Sequence, residues 1–270
     1  HRNCQPIVEC SIRSSPSYSF GRIFGYLVIF FNSYGYKPLE DMEKRIQIIL
    51  FLLFIFLPLS SQTKVVSNNI RIPVWYALDP LPGVEKTLSP GDAFLTNAVV
   101  NIKEISPFIL SGMIYGWNFS YTPSDKLRGV PEYFEFTSVS QIDSSQTEIR
   151  YTDPFFTDEG ANLCAWVELD RTPEMMKRYY HWNSINFPKI SGKGKAPVKE
   201  SVNGIKKAFG EAIKEAVRTY AQGIEKNKPK EISGSVYLIH TPRYYIDSGF
   251  YVADLDFFLH VGKIVQYTQF

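Results

Sequence analysis

The feature that most limits what this chain can fold into is an uncharged, almost wholly apolar run at residues 46–59 (IQIILFLLFIFLPL), broken only by Gln47 and Pro58. The run is 14 residues long, whereas a bilayer-spanning helix needs about 20. Met42 and the net-positive Glu43-Lys44-Arg45 stand before it, and Ser60-Ser61-Gln62 after it. A charged start, a short apolar core and a small polar exit are the layout of a secretory signal peptide. Residues 42–61 are therefore expected to be one, cleaved after Ser61. Cys4 and Cys10 lie upstream and Cys164 far downstream. No cysteine follows the run directly, so no lipid anchor is expected.

The chain starts at His1, and its first methionine is Met42. Residues 1–41 are accordingly read as a non-native upstream extension and left out of the fold argument. The object expected to fold is 62–270, read as a single domain with 186–198 as the candidate internal boundary. It has 209 residues with 23 basic and 23 acidic side chains. Its composition is globular, which excludes collagen-like, disordered and coiled-coil chains. Its one cysteine, Cys164, lies in an apolar strand pattern and is expected to be buried as a small apolar group. A domain large enough for a good core, without disulfides, suits a bacterial periplasm first and an extracellular space second.

Residues 70–78 (IRIPVWYAL) read as a strand with Pro73 near its start, hence an edge strand. Ser89-Pro90 opens a helix whose stripe is Phe94, Leu95, Ala98, Val99, Ile102 and Ile105, and Ser106-Pro107 is expected to end it. The alternation at 113–121 predicts a strand with Met113, Tyr115, Trp117, Phe119 and Tyr121 on one face. Further strands are expected at 133–139, 148–152 and 162–169. Thr172-Pro173 opens a short helix to about Trp182. Residues 183–198 (NSINFPKISGKGKAPV) read as a loop. A long amphipathic helix follows at 199–226, with Val202, Ile205, Phe209, Ile213 and Val217 on its apolar arc. The end is β again at 236–241, 244–246, 250–259 and 263–267, with Ser248-Gly249 as a hairpin turn. Strands come in groups, which predicts an α+β fold. Its sheet is largely antiparallel and is packed by one long amphipathic helix and two shorter helices.

No catalytic signature is present: the chain has no G-x-S-x-G, H-E-x-x-H or C-x-x-C. Ser191-Gly192-Lys193-Gly194-Lys195 resembles a phosphate loop only superficially. The G-x-x-x-x-G-K-[ST] spacing is missing, and Lys195 is followed by Ala196-Pro197. It reads as a flexible linker. The best carboxylate constellation is Asp254 and Asp256. In a strand they share a face with each other and with His260, a donor set that suits a divalent cation. This is the candidate catalytic or metal site. The competing reading is a polar outer face opposite Ala253, Leu255, Phe257 and Leu259. No cofactor is called for.

Charge is unevenly placed. Residues 62–185 carry 10 basic and 15 acidic side chains, residues 186–231 carry 11 and 5, and residues 232–270 carry 2 and 3. Lys193, Lys195, Lys199, Lys206, Lys207, Lys226, Lys228 and Lys230 flank both ends of the long helix and form the candidate binding surface. Lysine clusters attract anionic groups in a salt-dependent way. The C-terminal ones also complement the helix dipole. The functional expectation is an exported, non-enzymatic binding or assembly protein of the cell envelope. Its partner would be an anionic envelope component or a protein, with no nucleic acid and no transmembrane anchor in the mature form. The alternative is a metal-assisted hydrolase using the Asp-x-Asp strand motif.

Overall fold

A computed structural model describes residues 67–79, 92–143, 145–158, 161–224 and 228–267. The chain divides into two units, His1–Lys64 and Val65–Phe270, and every described residue lies in the second. The expected signal peptide at 42–61, the upstream segment 1–41, the Ser89-Pro90 helix start and Lys226 lie outside the described residues.

The elements are β1 (Asn69–Ala77), α1 (Asp92–Ile114), β2 (Trp117–Thr122), β3 (Tyr133–Ser138), β4 (Arg150–Thr157), β5 (Asn162–Asp170), α2 (Pro173–Trp182), β6 (Lys189–Pro197), a 3₁₀ turn (Val198–Glu200), α3 (Ser201–Ile224), β7 (Glu231–Leu238), β8 (Arg243–Asp247) and β9 (Phe250–Val265). They build the α+β fold expected, with every strand pairing antiparallel. One sheet has the order β1-β5-β4, the other β3-β2-β7-β9-β6, with β8 also on β9. β7 and β8 follow each other along one edge of β9, interrupted at residues 239–242, while β6 takes the other edge. α3 packs on β6 and β9, and α1 touches β1 and β5 of one sheet as well as β7 and β3 of the other.

Four local expectations are corrected. Pro107 lies inside α1, which runs on to Ile114 and so absorbs the first residues of the expected 113–121 strand. α1 thus has 23 residues against the 24 of α3. An interior proline costs about 3 kcal/mol. Here the buried stripe continues past it through Ile109, Leu110, Met113 and Ile114, and that burial outweighs the cost. The Ser106 hydroxyl donates to the Ile102 carbonyl at 2.6 Å. Gly116, at φ +82°, turns the chain into β2. Trp117, Phe119 and Tyr121 then face the core as the alternation predicted.

The second correction is the loop at 183–198, of which residues 189–197 form β6. Gly192, Gly194 and Ala196 are buried and the lysines between them exposed. A Cβ on Gly194 would lie 2.0 Å from the Ala208 carbonyl oxygen, and one on Gly192 2.1 Å from that of Ala212. The glycines are there because α3 presses its backbone onto the strand, an approach no side chain allows. Third, β4 runs on to Thr157 through a bulge at Asp153-Pro154, beyond the end of the strand expected at 148–152. Fourth, the two terminal strands are one 16-residue strand, β9, irregular opposite Ser233/Gly234.

The core is aromatic at its centre. Phe108, Phe209 and Phe257 surround Trp117, with ring centroids 5.1, 6.4 and 6.5 Å from it. Gly112 makes room, since a Cβ there would meet the indole at 2.1 Å. Between the sheets, Tyr244 of β8 stacks on Trp75 of β1 at 4.8 Å. Its hydroxyl accepts from the Trp75 N–H at 3.1 Å and donates to the Trp75 carbonyl at 2.8 Å. One side chain thereby satisfies both backbone groups of an edge-strand residue. Burial pushes the Tyr244 hydroxyl pKa well above the usual value. Cys164 is buried beneath this edge, and desolvation raises its thiol to about 11.

Gly194→Ala is expected to cost about 1–3 kcal/mol by overpacking. Lys193→Ala, one residue away and solvent-facing, should stay within about 0.5 kcal/mol. Urea denaturation of the two variants checks this, and equal effects would refute the close helix–strand contact. Tyr244→Phe strips the partner from two backbone groups of β1 and should cost about 1–3 kcal/mol in the same assay.

Candidate functional site

The open side of the larger sheet carries the residues singled out from the sequence. Pairing defines its rows. Lys193 lies opposite Asp254, and Asp254 opposite Arg243, so one row reads Arg243–Asp254–Lys193 across β8, β9 and β6. The next rows toward the hairpin are Tyr245–Val252–Lys195 and Asp247–Phe250–Pro197. Arg243 Nη2 sits 3.1 Å from Asp254 Oδ2, and Lys195 Nζ 3.6 Å from Asp247 Oδ2. Lys193 lies over the Tyr245 ring at 5.8 Å. A hydrogen bond with Tyr245, followed by the fields of Asp254 and Asp247, raises the Lys193 pKa.

Where the β7–β8 edge is interrupted, a cleft of about 320 Å³ opens beside β9, lined by His240, Thr241, Pro242, Arg243, Asp254 and Asp256. Bulges and broken ladders re-aim side chains in this way. The interruption brings His240 and Thr241 to the two carboxylates, a grouping the sequence does not announce. The two carboxylates do share this face. His260 does not join them: six residues along a strand from Asp254 is about 20 Å, and β9 is continuous between them. The His260 ring instead packs edge-on against Phe187 at 5.8 Å. Among the described residues no three His, Cys, Asp or Glu side chains come together as a metal site.

The lysines do not form one surface. Lys193 and Lys195 point from the face of β6 opposite to α3, since Gly192 and Gly194 between them touch that helix. Lys206 and Lys207 ride on α3 itself, on the other side of the sheet. They pair with Glu104 of α1 and with Glu200. Lys199 is exposed in the 3₁₀ turn, and Lys230 is exposed where β7 begins. Lys228 donates to the Ser124 carbonyl at 2.9 Å. The seven described lysines of the eight are thus divided among the open face of β6 (Lys193, Lys195), α3 (Lys206, Lys207), the 3₁₀ turn (Lys199) and the connection from α3 to β7 (Lys228, Lys230). Period-2 alternation in a strand that reads as a loop is the signal that would have separated them.

The middle of the open face is covered. Trp182, the last residue of α2, stacks on Tyr237 at 5.5 Å and packs with Phe258 and Phe187 in a small second core. Burial pushes the Tyr237 hydroxyl up to about 12. α2 itself is fixed by the Thr172 hydroxyl, which accepts from the Met175 N–H at 3.3 Å. On the far side of this cover the face changes character. The rows Thr137–Asn118–Ser235–His260 and Glu135–Ser120–Ser233–Lys263 run across β3, β2, β7 and β9.

The Arg243–Asp254 pair is exposed on both sides, and such pairs contribute about 0–1 kcal/mol. Asp254→Asn should therefore leave stability within that range. Because the donor geometry for a divalent ion is lacking, millimolar Mg²⁺ or Zn²⁺ should shift the melting midpoint of wild type and of Asp256→Asn alike by less than about 1 °C. A stabilisation of the wild type alone would overturn this.

A protein-family model matches residues 58–267. An uncharacterized protein of Treponema pallidum (strain Nichols) is 32% identical over 209 residues, which is 75% of this chain and 83% of that protein. No solved structure matches. Among the described residues no helix is long and apolar enough to cross a membrane. The chain belongs to the protein family that includes this Treponema pallidum protein.

Proposed function

We propose that the chain is an exported, non-enzymatic binding or assembly protein of the cell envelope. Periplasmic placement comes first, and the open face of its larger sheet meets the partner. The observation that carries this is the edge strand β6. Nine residues long, it holds Lys189, Lys193 and Lys195 outward while α3 covers its inner side. Edge strands offer unpaired backbone groups to an incoming chain, and edge lysines select what may approach. An anionic envelope component or an acidic protein patch suits them. Export rests on residues 42–61 alone.

A metal-assisted hydrolase is the second reading, favoured by the cleft that Asp254 and Asp256 share with His240. It asks a metal to recruit ligands beyond those in place.

Affinity capture from envelope extract with the full-length chain tests the proposal. A retained partner should be released as ionic strength rises, because exposed charges are screened beyond about 10 Å at 0.1 M salt. Lys193→Glu/Lys195→Glu should lose it, while Lys206→Glu/Lys207→Glu, on the other side of the sheet, should keep it. Retention of nothing at low salt, or equal losses in both variants, would remove the proposal.

A further inference from the structure

The register of β6 on β9 decides which of its backbone groups are already in use. Just beyond the ends of the ladder, the Leu259 N–H donates to the Pro188 carbonyl at 2.9 Å, and the Val198 N–H to the Gly249 carbonyl at 3.0 Å. Both pairs continue the register of the strand. Bonded and non-bonded pairs alternate along an antiparallel ladder, so Ile190, Gly192, Gly194 and Ala196 bond to β9. Lys189, Ser191, Lys193 and Lys195 then turn their N–H and C=O groups to the outer edge. β6 is the last strand of its sheet, and among the described residues no backbone group bonds to that edge. Side-chain and backbone directions both alternate with a period of two. The residues that offer backbone groups at the edge therefore also hold their side chains on the open face, opposite to the glycines under α3.

The other sheet edges are closed, broken or short. Tyr244 satisfies β1 at Trp75. β4 is interrupted by its bulge, where Pro154 has no N–H to offer. β3 and β8 have six and five residues. Such devices keep an edge from pairing. β6 instead keeps nine residues in unbroken register, and only its lysines select what may pair. A second copy of β6 would set lysine against lysine, which is unfavourable. An acidic strand would not. The row Arg243–Asp254–Lys193 already alternates in sign across β8, β9 and β6, and the next position outward calls for a carboxylate. A lipid headgroup or a polymeric anion would meet the ammonium groups and leave the backbone groups unused. An extended polypeptide meets both.

We propose that β6 accepts an acidic polypeptide segment, which adds antiparallel as a further strand of the sheet with a carboxylate at every second position. The inference rests on the reading of β6 as the binding edge and deepens it by naming the partner. Every pair in this sheet is antiparallel, which sets the direction. Opposite Lys189, Lys193 and Lys195, each acidic residue exchanges two backbone hydrogen bonds with the lysine and pairs with its ammonium group on the open face. The residues between them turn their side chains to the α3 side and their N–H groups away from β6.

Titration calorimetry of the full-length chain with a capped peptide of alternating threonine and glutamate tests it. The peptide should bind saturably. N-methylation of its glutamates removes the N–H groups that face β6 and should weaken binding at least about tenfold, roughly 1.4 kcal/mol. N-methylation of its threonines, whose N–H groups face away, should leave the affinity unchanged, although the peptide charge is the same in both. Ser191→Pro deletes one outward N–H and keeps every lysine. It should weaken binding by the same factor at an unchanged melting midpoint, because a solvent-facing edge position tolerates proline. If that variant is unstable, the two methylated peptides decide alone. Absence of binding to the alternating peptide, or equal affinity for the two methylated peptides, overturns the inference. If salt-sensitive capture through Lys193 and Lys195 persists in that case, the binding-surface reading stands and only strand addition falls. If capture fails as well, both fall.

Discussion

The contact between α3 and β6 governs the rest of this structure. Backbone meets backbone there: the Cα positions of Gly192 and Gly194 lie where any Cβ would fall within 2.1 Å of a helix carbonyl oxygen. The helix supplies Ala208, Ala212 and Ala216 at the same place, all buried. Small residues on both sides let the longest helix lie flat along an edge strand, and the large side chains Ile205, Phe209 and Ile213 reach over into the aromatic core. This contact assigns faces. With the glycines held under the helix, strand alternation sends Lys193 and Lys195 to the opposite side, where they meet Asp254 and Asp247 across the sheet.

The second consequence concerns the edges. β6 is an edge strand covered on one face by a helix and lined on the other by lysines. β1, the edge of the smaller sheet, is closed at Trp75 by the Tyr244 hydroxyl. Tyr244 belongs to β8, and β8 exists as a separate strand because the ladder on β9 is interrupted at residues 239–242. One local irregularity therefore does two things. It places a buried tyrosine where it ties the sheets together, and it opens the cleft where His240 and Thr241 face Asp254 and Asp256. Structure and candidate chemistry share the same break.

Much of the fold was legible. The strands at β1, β3 and β5, the Thr172-capped helix α2, the amphipathic α3 and the Ser248-Gly249 turn all follow from periodicity and turn chemistry that act within a few residues. Asp254 and Asp256 were likewise placed on one open face by a period of two. What was not legible depends on partners distant in sequence. Pro107 signals a helix end, but the buried surface of Ile109 and Leu110 against both sheets overrides it. Gly192 and Gly194 signal flexibility, but a helix 14 to 24 residues away makes them a rigid strand. The basic segment looked like one surface because charge was counted along the chain, whereas alternation and the helix distribute it across two faces and the connections at either end of α3.

The sequence by itself determined the fold class, the identity of most elements and the inward face of β2. Those properties arise from the spacing of apolar side chains, which local backbone geometry converts directly into faces. Tertiary structure alone decided which charged groups are neighbours, where the open face is covered by Trp182, and which polar rows run beyond it. The side chains of β2 and β7 come from residues more than a hundred positions apart, and only strand pairing brings Asn118 beside Ser235.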